Sequence, residues 1–354
     1  MSDEWMRTTL PRENGNTPAQ ATRCAELHWC HISELAYFHR ESTAMMNLTR
    51  RQCLIVAAAG AASNFLPASP SQLSFAREPI ERRGDPRFRP AIAAYSLRKY
   101  FSTFRGKPQQ PAADGPAIDL FGFIDYCASL GCDAELTGYF LPPEADDAYL
   151  LRLRQHAFLA GTVISGSAIG NDFTVPAGEQ LDAQVAETQS WIKRSAVLGA
   201  PHLRIFAGTA KQLGDSEEKL TAIIDAVSRC AETAAEHGVF LGIENHGGIS
   251  AEQLLAIVER VDSDWVGINL DTGNFISEDP YADIRLSAPY AVNVQLKPNM
   301  RRPDGTVYPA DFDQIAQILR ETNYQGFVAL EYEHEAPYER IPPLLLQMRT
   351  AFLG

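Results

Sequence analysis

The chain has 354 residues, 45% of them hydrophobic and 21% charged, with a formal net charge of −13. An acidic protein is a poor partner for nucleic acid, which needs basic surface to displace its counterions. The first 76 residues carry as many basic as acidic side chains, so the whole net charge lies on the remainder, and about 280 residues is near the usual size of one eight-stranded barrel.

Residues 46–76 read as an export signal. Met46-Asn-Leu-Thr-Arg-Arg51 is a short basic start, residues 55–62 continue an apolar run of small side chains, and Pro67, Ala68 and Pro70 break it. Ser74-Phe-Ala76 offers small residues where a signal peptidase reads. The apolar run is too short for a stable membrane span. Thr49-Arg50-Arg51 ahead of an apolar stretch resembles the twin-arginine signal, which exports proteins already folded and would place the body outside the cytoplasm. Residues 1–45 have no clear period or apolar face. They are expected to be either a misassigned extension ahead of a start at Met45 or Met46, or a disordered tail. The body is expected at 77–354.

The body alternates strand and helix. A strand is predicted at 91–96, a helix at 118–130 stopped by Gly131, a strand at 133–136 and a helix at 145–156. A third strand at 161–169 is followed by a helix at 181–198 that ends at Gly199, and a fourth at 202–206 by a helix at 216–237 with Gly238 as its stop. Strands five to eight are the apolar runs ending at Glu244, Asp271, Gln295 and Glu331. The helices between them are placed at 251–261, 281–288 and 311–321, with a tight turn at Asp304-Gly305 and a closing helix at 342–352. Eight strands with helices between them predict an α/β fold, a single (β/α)8 TIM barrel, rather than an open doubly wound sheet. No Gly-rich dinucleotide fingerprint follows the first strand. Cys24, Cys30 and Cys53 lie in the leader, and Cys127, Cys132 and Cys230 in the body, without the spacing of a disulfide framework. Cys127 and Cys132 are expected to be packing residues on a helix and its exit.

The chemistry is concentrated at the ends of the last four strands. Strand alternation puts Gly242 with Glu244, Asn269 with Asp271, Gln295 with Lys297 and Ala329 with Glu331 on one side each, so all the polar ends can face the barrel mouth. Three carboxylates and an amide brought to one point would repel unless a cation sat among them. Glu244, Asp271, Gln295 and Glu331 are therefore the candidate metal ligands.

These segments are similar to a known family, the sugar phosphate isomerase/epimerase family of xylose isomerase-like barrels. The resemblance covers roughly residues 88–350 and rests on Gly242-Ile-Glu-Asn-His246, Leu270-Asp-Thr-Gly-Asn274, Val294-Gln-Leu-Lys297, Leu330-Glu-Tyr-Glu333 and Leu203-Arg-Ile-Phe-Ala-Gly208. It implies one divalent metal held by Glu244, Asp271 and Glu331, with Gln295 where family members have His. Many relatives also have His where Asn274 stands. Loss of both imidazoles tilts the expected ion towards Mn or Mg and away from Zn. The implied reaction is proton abstraction beside a sugar carbonyl through a metal-stabilised enediolate. Glu244 and Glu331 would act from opposite sides, one removing and one returning the proton.

His246, Arg204, Asn274 and Lys297 are candidates for binding a small carbohydrate substrate. Each has a structural alternative. Arg204 is expected to pair inside the barrel with Glu135 and Asp271, and Lys297 to form a salt bridge with Glu331. His156, His202, His237 and His334 are taken as structural. Besides the isomerase/epimerase reading stand a lyase or dehydratase acting on 3-keto-glycosides or inososes, and a non-catalytic carbohydrate-binding barrel. An apurinic endonuclease is disfavoured by the acidic body and its few histidines. The sequence leaves the oligomeric state open.

Overall fold

In a computed structural model, which describes residues 78–354, the eight predicted strands form one closed parallel barrel. The strands are β1 (Arg87–Ala93), β2 (Asp133–Thr137), β3 (Ile164–Ala168), β4 (His202–Ile205), β5 (Phe240–Glu244), β6 (Val266–Asp271), β7 (Ala291–Leu296) and β8 (Gln325–Leu330). Each pairs with its sequence neighbours, and β8 closes on β1 in the register Arg87 to Gln325 through Ile92 to Leu330. The expected extension at 1–45 and the export signal at 46–76 lie outside the described residues. Among the described residues, no helix is long and apolar enough to cross a membrane.

Local chemistry sets the helix boundaries. Asp119, Asp146, Ser216, Ser250, Asp279 and Asp311 each accept a hydrogen bond from a backbone N–H in the first turn of the helix they precede. Gly199 and Gly238 end their helices in the left-handed conformation. The helices cover the outside of the barrel with apolar stripes. The one at Phe312–Glu321 buries Phe312, Ile315, Ala316, Ile318 and Leu319. Cys127, Cys132 and Cys230 are buried free thiols.

Several boundaries differ from the sequence reading, the third strand among them, which covers Ile164–Ala168 rather than 161–169. The first strand starts at Arg87, not 91, because Arg87 to Pro90 pair with Gln325 to Val328 at the lower rim. There the Arg89 guanidinium meets Asp133 at 2.9 Å instead of breaking the strand. Residues 94–97 turn into a 3-10 helix. Pro342 and Pro343, which mark a helix start in the sequence, lie inside a helix that already begins at Pro337. The turn at Asp304-Gly305 joins a short antiparallel ribbon, Asn299–Arg301 with Val307–Pro309, whose strands are too short to show alternation.

The barrel interior is filled rather than hollow. A Cβ on Gly166 would lie 2.0 Å from the His202 imidazole, so glycine in β3 is what admits the ring. Burial pushes that imidazole down to about 3, which keeps it a neutral core group. Above it lies a polar layer. Gln295 Nε2 donates to Glu135 Oε1 at 3.0 Å, Asn293 Nδ2 to Asn269 Oδ1 at 2.8 Å, and Asn269 Nδ2 to Gln295 Oε1 at 2.8 Å.

Candidate active site

The carboxylates predicted from strand parity do gather at the C-terminal ends of the strands. Register sets Glu244 level with Asn269, Asp271 with Gln295, and Gln295 with Ala329. Glu244, Asp271, Gln295 and Glu331 are all buried, the most exposed of them only to 6%. The turns above the strands hold them in place. Asn245 accepts from the Asp271 N–H and donates to the Asp271 carbonyl, both at 2.8 Å, and so clamps β5 to β6. Asp271 Oδ1 accepts from the Gly273 N–H at 2.9 Å. Thr272 Oγ1 accepts from the Lys297 N–H at 3.0 Å. Asn245 and Thr272 were not singled out from sequence, although both lie in the motifs and short polar side chains next to strand ends are common clamps.

Arg204 forms its ion pair with Glu244, at 2.9 Å from Nε to Oε2, rather than with the expected Glu135 and Asp271. Register brings them together: Arg204 is level with Gly242, two residues before Glu244 on the neighbouring strand. Its Nη1 also donates to the Ile169 carbonyl at 2.6 Å, and its guanidinium stacks on Phe206 at 4.1 Å. The other Glu244 oxygen accepts from Asn274 Nδ2 at 2.9 Å and lies 3.3 Å from His246 Nδ1. His246 is half exposed and packs on Phe206.

Lys297 stands among the remaining carboxylates. Its Nζ lies 3.0 Å from Glu331 Oε2 and 3.5 Å from Asp271 Oδ2, and it is paired with Glu333. The salt bridge to Glu331 was expected. Glu333 lies in the Leu330-Glu-Tyr-Glu333 motif but was given no role, because its parity with Glu331 extends past the strand end, where alternation no longer predicts direction.

These charges separate the carboxylates into two kinds. Burial opposes ionisation of Glu244, but Arg204, helped by His246 and Lys297, outweighs it and holds the carboxyl below its usual range. For Glu331 burial wins: it raises the group despite Lys297, with Glu333 and Glu244 adding to the rise. Asp271 is raised well above its usual range, by burial first and then by Glu244 and Glu331 against the pull of Lys297. Glu135, at the floor of the site, is pushed up to about 7 by burial, with Glu331 adding. Burial works against charge on Lys297, yet Asp271, Glu331 and Glu333 together hold its proton firmly. The mouth therefore presents two carboxylates held below their usual range, Glu244 and Glu333, two raised above it, Glu331 and Asp271, and two fixed cations.

As arranged, the donors do not fit a divalent metal at Glu244, Asp271, Gln295 and Glu331. Both oxygens of Glu244 are engaged by Arg204, Asn274 and His246. The Gln295 oxygen accepts from Asn269, and its amide nitrogen is held by Glu135, which fixes its orientation away from the carboxylates above. Asp271 Oδ2 has no hydrogen-bond donor and Glu331 is open to a cation, but the Lys297 ammonium already stands between them. Among the described residues, no three His, Cys, Asp or Glu side chains are placed to hold a metal ion.

Comparison with known proteins agrees with the fold. The chain is 35% identical over 131 residues to a 3-oxo-isoapionate decarboxylase from Pectobacterium atrosepticum, a stretch covering 32% of this chain and 46% of that protein. The chain thus spans less than half the length of that curated relative. Its fold superimposes on the crystal structure of a D-psicose 3-epimerase in the presence of D-fructose with a TM-score of 0.61 and 19% identity, over 75% of this chain and 100% of the other. A D-psicose 3-epimerase with D-tagatose from Clostridium cellulolyticum H10 gives a TM-score of 0.59 and 16% identity, over 75% and 99%. The family model described as xylose isomerase-like TIM barrel matches residues 124–349. The chain belongs to the xylose isomerase-like TIM barrel family.

Proposed function

We propose that the protein is a sugar-modifying enzyme that moves a proton on a carbon next to the carbonyl of a small carbohydrate. The observation that carries this reading is the opposite bias of two carboxylates at one barrel mouth. Glu244 is held ionised by Arg204, and Glu331 is inclined to hold a proton. That is the starting state a two-carboxylate proton transfer needs. Glu244 takes the proton from carbon, the C–H electron pair forms the C=C bond, and the carbonyl π pair moves to oxygen. Glu331 then delivers its proton to the same carbon from the other side for epimerisation; for isomerisation it protonates the former carbonyl carbon while the neighbouring hydroxyl passes its proton to the enolate oxygen and becomes the new carbonyl. Arg204 and Lys297 lie beside the two carboxylates, where negative charge would develop. His246 and Asn274, both on Glu244, are placed to meet substrate hydroxyls at the rim.

A second reading is favoured by the curated relative, whose name is that of a decarboxylase. Loss of carbon dioxide from a 3-oxo acid leaves the same enolate that proton abstraction gives, and the same cations would stabilise it. Export by the signal at 46–76 belongs to the same proposal and would direct the enzyme to sugars outside the cytoplasm.

Proton NMR in deuterated water tests the reading, on the full chain with free ketoses, ketose phosphates, inososes, 3-keto-glucosides and 3-oxo sugar acids. Deuterium entering a carbon next to the carbonyl is the expected result. Glu244→Gln should lower that exchange, and Glu331→Gln the conversion to epimer or isomer, each by about 100-fold or more, the usual contribution of a positioned acid or base. Wild-type exchange in Glu244→Gln, or wild-type conversion in Glu331→Gln, would overturn the two-carboxylate mechanism. Loss of carbon dioxide or of a substituent would assign the lyase reading.

A further inference from the structure

We propose that the cation at the centre of this site is the Lys297 ammonium and that the site works without a divalent metal. The inference deepens the proton-transfer reading and rests on it for the chemistry, but not for the binding claim.

Three observations carry it. The first is position. Lys297 Nζ sits 3.0 Å from Glu331 and 3.5 Å from Asp271, and Glu333 completes a ring of three carboxyl groups around it. An ammonium has three N–H donors, so three carboxylates match it in number. A divalent ion placed among the same oxygens would meet a positive charge at contact distance.

The second is rigidity. The lysine is not a surface side chain that strayed inwards. Its side chain is only 12% exposed, and its own N–H is held by Thr272 Oγ1. Its stem runs so close over the Asp271-Thr-Gly turn that a Cβ on Gly273 would lie 2.6 Å from Lys297 Cγ. Glycine at that turn admits the Lys297 stem together with the Asn299 carbonyl, which a Cβ would meet at 2.8 Å.

The third is that the remaining donors are committed elsewhere. Both Glu244 oxygens are engaged, by Arg204 on one side and by Asn274 and His246 on the other, and the Gln295 oxygen accepts from Asn269. The positions that would complete a coordination shell have become part of the hydrogen-bonded floor and wall.

In the reaction the substrate carbonyl oxygen takes over the N–H that faces Asp271, the longest of the three contacts at 3.5 Å. As the proton leaves carbon for Glu244, the electron pair it leaves ends on that oxygen as an enolate held by Lys297. Glu331 supplies the proton that restores the carbonyl compound, and Lys297 keeps its own three protons throughout.

The test is metal binding, measured apart from turnover. The full-length protein, stripped with EDTA and dialysed, is titrated with MnCl2 and followed by electron paramagnetic resonance, with ZnCl2 titrated in parallel by calorimetry. The expected result is that added Mn stays free at one equivalent and that the thermal midpoint is unchanged by EDTA. Lys297→Ala opens the carboxylate ring and should take up one equivalent of Mn; Lys297→Asn, which keeps a short polar side chain, should do the same. One tight equivalent of Mn or Zn in the wild type would overturn the proposal. So would a folded Lys297→Ala or Lys297→Asn protein that leaves Mn free, because the lysine would then not stand in the place of an ion. Failure of the proton-transfer reading would appear separately, as no deuterium exchange in any substrate.

Discussion

Arg204→Met is the perturbation whose size follows most directly from the geometry. Arg204 and Glu244 are each 5% exposed and paired at 2.9 Å, so removing the guanidinium strands a buried carboxylate. Breaking one side of such a pair costs about 3–5 kcal/mol, chiefly from the unpaired charge. For a domain of this size about 2 °C of midpoint is lost per kcal/mol, so the variant should melt roughly 6–10 °C below the wild type at pH 8. The pH dependence has a definite sign. In the wild type the Glu244 carboxyl lies below its usual range, so its contribution is present above the unfolded value and lost as pH falls through the folded one. In Arg204→Met, burial acts unopposed by the arginine and raises the group. The variant then takes up a proton as pH falls from 8 to 5, and the gap to the wild type narrows. Adding Glu244→Gln to Arg204→Met removes the stranded charge and should recover most of the loss. Thermal denaturation of the three proteins at pH 8 and pH 5 decides it. A loss under about 2 °C, or a gap that does not change with pH, would refute the account of this pair as a buried charge couple.

Two further predictions concern the barrel interior. Glu135 is pushed up to about 7, so its penalty on the fold is absent below the unfolded value, grows as pH rises and is complete above the folded value. Between pH 4 and pH 8 that amounts to about 3 kcal/mol, and Glu135→Gln should be spared it. Parallel stability-against-pH curves for the two proteins in urea would reject this. Gly166→Ala places a methyl 2.0 Å from the His202 ring and should cost about 1–3 kcal/mol in urea denaturation, relieved by His202→Ala in the same chain. An unchanged midpoint in Gly166→Ala would mean that the ring does not fill this space.

Much of the site could be read from the chain because strand alternation is strict. Glu244, Asp271, Gln295 and Glu331 stand at consecutive strand ends in like phase, and that alone places them at one mouth. What alternation cannot give is the direction of a flexible side chain beyond Cβ. Gln295 shares the inward side with Lys297, but its amide turns down to Glu135 and Asn269, whereas the lysine reaches across to Glu331 and Glu333. The partner of Arg204 was missed for a related reason. Which of several inward carboxylates a guanidinium meets depends on the relative register of β4 and β5, and register is a property of paired strands rather than of either one.

The sequence by itself determined the barrel, its order of strands and helices and the set of polar residues at its mouth. Period, caps and stops are local, and each segment carries its own. The tertiary structure alone decided which charges neutralise which. Arg204 went to Glu244, Lys297 to Glu331, Asp271 and Glu333, and Gln295 into the floor. That partition depends on distances between side chains from different strands in a site with little water, where a shift of an ångström changes which pair forms.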